Sequence, residues 1–110
     1  MVKQGQPVYE ISVGDVEIIS YQFVEHLDSG ELLTGTPTIV EVTTSDLTLA
    51  NKAVSTAQYT DKDGVVVAIG QAVQCSVTSA TAGTYTVRIT VSTDATVART
   101  FIRDITIVIL

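Results

Sequence analysis

The chain contains no tryptophan, one cysteine, one histidine, two phenylalanines and two prolines in 110 residues. Each scarcity excludes something. A lone cysteine, Cys75, cannot close an intrachain disulfide, which fits synthesis in a reducing compartment or a core large enough to need no staple. Without Trp, and with only four Tyr beside the two Phe, the core must be mainly aliphatic. Positive charge is also thin. Lys3, Lys52, Lys62, Arg88, Arg99 and Arg103 are scattered along the sequence against twelve acidic residues, for a net charge of −6. Holding a phosphate backbone needs clustered positive charge, so no nucleic-acid partner is expected. No apolar run approaches the roughly 20 residues of a membrane span, so no membrane partner is expected either. The start, MVKQGQPVYE, lacks the apolar stretch of a secretory signal. The expectation is a soluble protein made in the cytoplasm.

Abundance points the other way, to strands. There are 17 Thr, 17 Val and 10 Ile. These β-branched residues suit a pleated surface and lose rotamer freedom in helices. The fold class is therefore all-β. The length fits one domain. Residues 8–110 are read as that domain and residues 1–7 as a flexible N-terminal arm.

Along the chain, 8–13 and 16–24 read as strands around Gly14-Asp15. Glu17, Ser20 and Gln22 break the period of the second, which predicts a bulge or bend. DSGE at 28–31 is a turn. Pro37 heads a strand over 38–44, with Thr38, Val40 and Val42 on one face and Ile39 and Glu41 on the other. Residues 45–60 allow a short helix, but their Thr and Ser favour two short strands. DKDG at 61–64 turns into VVVAIG, 65–70. In AVQCSVT, 72–78, Val73, Cys75 and Val77 align. SATAGTYTVRITVST, 79–93, is the most regular stretch: Tyr85, Val87, Ile89 and Val91 share one face, and Thr84, Thr86, Arg88, Thr90 and Ser92 the other. TDA, 93–95, turns into a last strand over about 97–110. Seven to nine short strands with frequent turns predict an immunoglobulin-like antiparallel β-sandwich.

Gly83-Thr84-Tyr85-Thr86-Val87 looks like a tyrosine corner, in which a Tyr at the start of a strand folds back so that its hydroxyl satisfies backbone groups, and Gly leaves room for the turn. Val87 stands where antibody domains carry a cysteine, so an apolar contact replaces the disulfide. GELLTGTPTIVEV, TAGTYTVRITVST and RTFIRDITIVI together resemble small immunoglobulin-like structural proteins of tailed bacteriophages, over about residues 8–110. That resemblance implies a sandwich fold and a structural role in a virion: capsid decoration or cement, neck or head fibre, or a tail-associated module. It brings no catalytic residues and no cofactor.

The residues themselves gather little chemistry. His26, beside Glu25 and Asp28, reads as a surface or interface histidine, since neither a Gly-x-Ser-x-Gly elbow nor a Cys/His signature accompanies it. Cys75 reads as a small buried hydrophobe. Asp61 and Asp63 have the spacing of a calcium loop, but Val65 occupies the next ligand position, so TDKDG reads as a hairpin turn. No metal site is expected.

DITIVIL raises a different question. Ile105, Ile107 and Ile109 face one way, and Thr106, Val108 and Leu110 the other. A strand with one wet face should be polar there. Either a loop covers this strand or one face packs on a partner. Val65, Val66 and Val67 pose the same problem. Val66, Ile105, Ile107, Val108 and Leu110 are the candidate interface residues. The functional expectation is a non-enzymatic, freestanding capsid decoration or cement protein in the virion. Its partners are the major capsid protein or other virion proteins. It self-associates, and the family's habits suggest a trimer. A neck, head-fibre or tail-associated module is the alternative. A carbohydrate-binding module is less favoured: Tyr9, Tyr21, Phe23, Tyr59, Tyr85 and Phe101 make a poor sugar platform.

Overall fold

A computed structural model describes residues 8–61 and 63–110. The arm expected at residues 1–7 lies outside the described residues. The elements are β1 (Val8–Ile11), β2 (Glu17–Gln22), a single 3-10 turn (Val24–His26), β3 (Leu33–Glu41), β4 (Thr48–Val54), β5 (Tyr59–Thr60), β6 (Val66–Val67), β7 (Ala72–Thr78), β8 (Gly83–Thr93) and β9 (Thr100–Ile109). A four-stranded sheet has the order β1-β9-β8-β3 and a three-stranded sheet the order β2-β7-β4, with β5 and β6 forming a small hairpin. Taking β2, β7 and β4 as strands B, E and D, and β3, β8 and β9 as C, F and G, this is the strand order of an immunoglobulin-like sandwich.

β8 shows why the sheets face each other. Tyr85, Val87, Ile89, Val91 and Thr93 alternate with exposed or half-buried residues along it, as the two-residue period of a pleated strand requires. From the opposite sheet, β7 turns Val73, Cys75 and Val77 toward them, and β2 adds Ile19. Burial of these branched side chains, each contributing about 1.5–3 kcal/mol, is what holds the sheets together.

Three details depart from a regular antiparallel ladder, the first in direction and the others in register. First, β1 pairs in parallel with β9, Val8 opposite Thr106 through Ile11 opposite Ile109. Parallel neighbours need a long connection, and here nearly the whole domain supplies it. The Leu110 amide donates to the Ile11 carbonyl at 2.8 Å, and the Val13 amide to the Leu110 carbonyl at 2.9 Å. Second, β3 begins at Leu33, ahead of Pro37. Its register with β8 shifts between Thr34 and Thr38, Gly35 has φ +76°, and Pro37 is buried. A proline inside a strand needs an edge or a bulge, and this position offers both. Third, β4 shifts register against β7 between Ala50 and Ala53, where Asn51 has φ +54°. Such left-handed residues are common at bulges, and Asn tolerates them better than most. Residues 45–60 do hold two short strands, β4 and β5.

The last strand resolves its two apolar rows. Ile105 and Ile107 are fully buried and Ile109 nearly so. The expectation that Ile105 and Ile107 form an interface is therefore corrected: they lie between the sheets and no partner can reach them. Val108 is half-buried on the outer face, and Leu110 and Val66 are exposed at 64% and 56%. The strand expected over 65–70 contracts to Val66–Val67, with Val67 buried and Val66 outward.

Candidate functional site

The first cluster is structural. The Tyr85 hydroxyl donates to the Thr81 carbonyl at 3.0 Å, four residues upstream, which is the geometry of a tyrosine corner. Its ring lies against Gly83: a Cβ there would sit 3.1 Å from the hydroxyl oxygen. A side chain there would press on the ring, which would have to give by a few tenths of an ångström, and φ of +158° is strained for any residue with a Cβ. Val87 is fully buried next to it on the same strand face. Asp46 lies 3.4 Å from the same hydroxyl. Its loop is ordered by Glu41, which accepts from the Thr43 and Thr44 hydroxyls at 2.8 and 2.6 Å, the Leu47 amide at 3.0 Å and the Thr44 amide. Desolvation pushes the Glu41 carboxyl up, but the hydrogen bonds from Thr44, Leu47 and Thr43 outweigh it and hold the group at about 2.

The second cluster closes one end of the sandwich. Glu31 is buried. It accepts from the Arg99 guanidinium through both carboxylate oxygens and from the Asp28 amide at 2.9 Å. The Arg99 hydrogen bonds, then that amide, bring the Glu31 carboxyl down to about 2. Arg99 also donates to the His26 carbonyl at 2.7 Å and lies 5.1 Å above the Phe101 ring. Phe101 stacks on Phe23 with centroids 5.5 Å apart. Arg103 occupies an inward position in the row of Phe101 and Ile105, over both rings at 5.4 and 5.9 Å. Cation–π contact lets a charged head cap an apolar core at its margin.

The residues weighed for chemistry are dispersed. His26 is exposed on the 3-10 turn, with its ring 6.4 and 6.1 Å from Phe23 and Phe101. Cys75 is buried, and burial pushes its thiol up to about 11. Asp61 spends its side chain on its own turn, accepting from the Asp63 and Val65 amides at 2.9 Å. Asp28 lies 3.8 Å from Arg99, whereas Glu25 borders a different region, the cleft beside β2. Among the described residues, no group of three or more His, Cys, Asp and Glu is placed to hold a metal ion, and no helix is long and apolar enough to cross a membrane.

Two surfaces remain. One is the outer face of the four-stranded sheet. Its register places Ile102 beside Thr90 and Thr38, the Asp104–Arg88 pair beside Val40, and Thr106 beside Thr86. Val8, Val40, Val42 and Ile102 are 44–56% exposed there. Arg88 meets Asp104 through two bonds, 2.9 and 3.2 Å, so the central charges neutralise each other. Each holds the other's charged form: Asp104 is shifted down and Arg88 up.

The other surface is a cleft of about 600 Å³ between β1 and β2. Tyr9 spans it, donating to the Ser20 carbonyl at 2.7 Å and so joining the two sheets. Burial, then the neighbouring Tyr59 and Tyr21, raise the Tyr9 hydroxyl well above its ordinary value. Burial also raises Tyr59, against a lowering hydrogen bond from Ser20. Sequence reasoning missed the gathering of Tyr9, Tyr21 and Tyr59, because they come from three strands with no shared periodicity. It also missed Ile18, which is 73% exposed beside buried Ile19.

The fold is an all-β sandwich with two exposed surface features, an apolar sheet face and a tyrosine-lined cleft. Set against known proteins, the chain has no match among family models, curated proteins or solved structures.

Proposed function

We propose that this protein is a non-catalytic binding subunit that serves in a bacteriophage virion, as a decoration or cement protein on the head shell. One observation carries the binding reading: the outer face of the four-stranded sheet presents Val40, Val42, Ile102 and Val8 among threonine methyls, around a self-neutralised Arg88–Asp104 pair. An exposed apolar patch is the usual mark of a protein interface, and charges that are already paired cost less to cover than lone ones. The virion setting rests on the resemblance of GTYTV and its flanking strands to phage immunoglobulin-like proteins. In this reading the major capsid protein is the partner. Copies joined in an oligomer and engaging several capsid subunits at once are held more firmly than a single copy. Val108, Leu110 and Val66 lie outside the core and serve contacts between copies.

The test is sedimentation of the purified chain with empty heads, using Val40→Asp and Ile102→Asp variants. Both positions are exposed, so the variants should melt like the wild type. Co-sedimentation of the wild type and its loss in the variants supports decoration. A wild type that ignores heads but binds tail or neck assemblies moves the role there. Equal binding by all three removes this face from the interface.

A further inference from the structure

β1 and β2 are the end strands of different sheets, and the cleft runs between them. The backbone directions follow from two bonds. The Phe23 amide donates to the Gln71 carbonyl at 2.8 Å, so odd-numbered residues of β2 point their peptide groups toward β7. Peptide groups of successive strand residues alternate in direction. Ile18, Ser20 and Gln22 therefore aim theirs at the cleft. The Ser20 carbonyl, which accepts from Tyr9 across the cleft, points that way; it retains a second lone pair. Among the described residues, β2 pairs only with β7 and leaves this edge open.

The rim of the cleft is acidic. Glu10, Glu17, Glu25, Asp61 and Asp63 border it, and no Lys or Arg is found among the described residues lining it. Four of these five carboxylates are exposed. An open strand edge beside a rim whose charged groups, among the described residues, are all carboxylates is complementary to one kind of occupant.

We propose that the cleft docks a basic, extended segment of a partner protein, added as a strand along β2. The segment's main chain pairs with the peptide groups of Ile18 and Gln22, the usual source of affinity in strand addition, and displaces the Tyr9 hydroxyl from the Ser20 carbonyl between them. Its side chains alternate with a two-residue period, so Lys or Arg at every second position meets the carboxylates. Intervening apolar residues rest on Tyr9 and Tyr59. A sugar fits less well, because Tyr21 is packed edge-on against Phe23 at 4.9 Å. This surface shares only Val8 with the apolar patch on the outer face of the four-stranded sheet, and Val40, Val42 and Ile102 lie outside it, so the fate of one proposal leaves the other standing.

The experiment titrates the full chain with an acetylated, amidated Lys-Val-Lys-Val-Lys-Val peptide and with its Glu-Val counterpart, following backbone amide shifts by NMR. Three variants accompany it: Glu17→Gln with Glu25→Gln, Ile18→Pro, and Tyr59→Ala. The expected result is saturable binding of the basic peptide alone, with shifts and exchange protection at Ile18 and Gln22, weakened by salt. The double Gln variant should bind roughly threefold to tenfold more weakly, the range set by two exposed charge pairs. Ile18→Pro removes an outward N–H from an edge strand, where proline is tolerated, and should abolish binding while its amide spectrum stays folded. Equal binding of both peptides, undiminished binding by folded Ile18→Pro, or no binding overturns the proposal. So does a neutral oligosaccharide that shifts the same amides and loses its effect in Tyr59→Ala, which would make the cleft a sugar site.

Discussion

The hydroxyl of Tyr85 donates to the carbonyl of Thr81 at 3.0 Å while the ring lies so close to Gly83 that a Cβ there would sit 3.1 Å from the hydroxyl oxygen. Two substitutions separate these roles. Tyr85→Phe keeps the ring and loses the donor, leaving a carbonyl short of a partner. It should lower Tm by roughly 4–8 °C, the shift that corresponds to one net hydrogen bond in a domain of this size. Gly83→Ala keeps the donor but must displace the ring, and should lower Tm as well. Thermal melts by circular dichroism check both. A Tyr85→Phe melt coincident with wild type would remove the corner as a source of stability.

Adjacent residues of β9 should give opposite outcomes. Ile107 is fully buried between the sheets, and Ile107→Asp places a carboxylate there without a partner. The cost, several kcal/mol, rivals the roughly 5–15 kcal/mol by which domains are stable, so the variant should not fold. Val108 lies on the outer face, half-buried, and Val108→Asp should fold with little change in Tm. Dispersion of amide resonances distinguishes the two.

Acid should weaken the fold over a defined window. The folded Glu31 and Glu41 carboxyls titrate at about 2, against 4.5 for an ordinary glutamate. Their ionised forms therefore favour the folded state. This contribution is complete above pH 4.5 and is lost as pH falls toward about 2. Urea midpoints should drop across that interval. Glu31→Gln should be less stable at neutral pH and show a shallower drop, with Glu41 and Asp104 supplying the remaining slope. A midpoint flat from pH 5 to 2 would contradict the assignment.

Cys75 should be silent in the native protein. It is buried, and its thiol is pushed up to about 11, so at pH 8 little reactive thiolate exists and reagents cannot reach it. Alkylation by iodoacetamide should proceed at the rate of unfolding and become rapid in denaturant. Mass spectrometry over time checks this; fast labelling without denaturant would show that β7 opens locally.

Much of the architecture is written in local periodicity. The alternation in β8, the aligned Val73, Cys75 and Val77, and the row Ile105, Ile107, Ile109 follow from the two-residue pleat, which needs no knowledge of neighbours. The Gly-Thr-Tyr start of β8 is legible for a similar reason, since the corner closes within five residues. The Asp61 turn is local too. What tertiary structure alone decided is which face meets what. DITIVIL offers two apolar rows, and only the position of β9 between β1 and β8 buries Ile107 and leaves Val108 half-covered. Ile18 and Ile19 are neighbours of the same type, yet one is exposed and the other buried, because the opposing sheet lies on one side only. The parallel pairing of β1 with β9, the inward place of Arg103 over Phe23 and Phe101, and the meeting of Tyr9, Tyr21 and Tyr59 around one cleft join residues far apart in the chain. Burial and pairing at such distances depend on how sheets stack, and no local pattern encodes that.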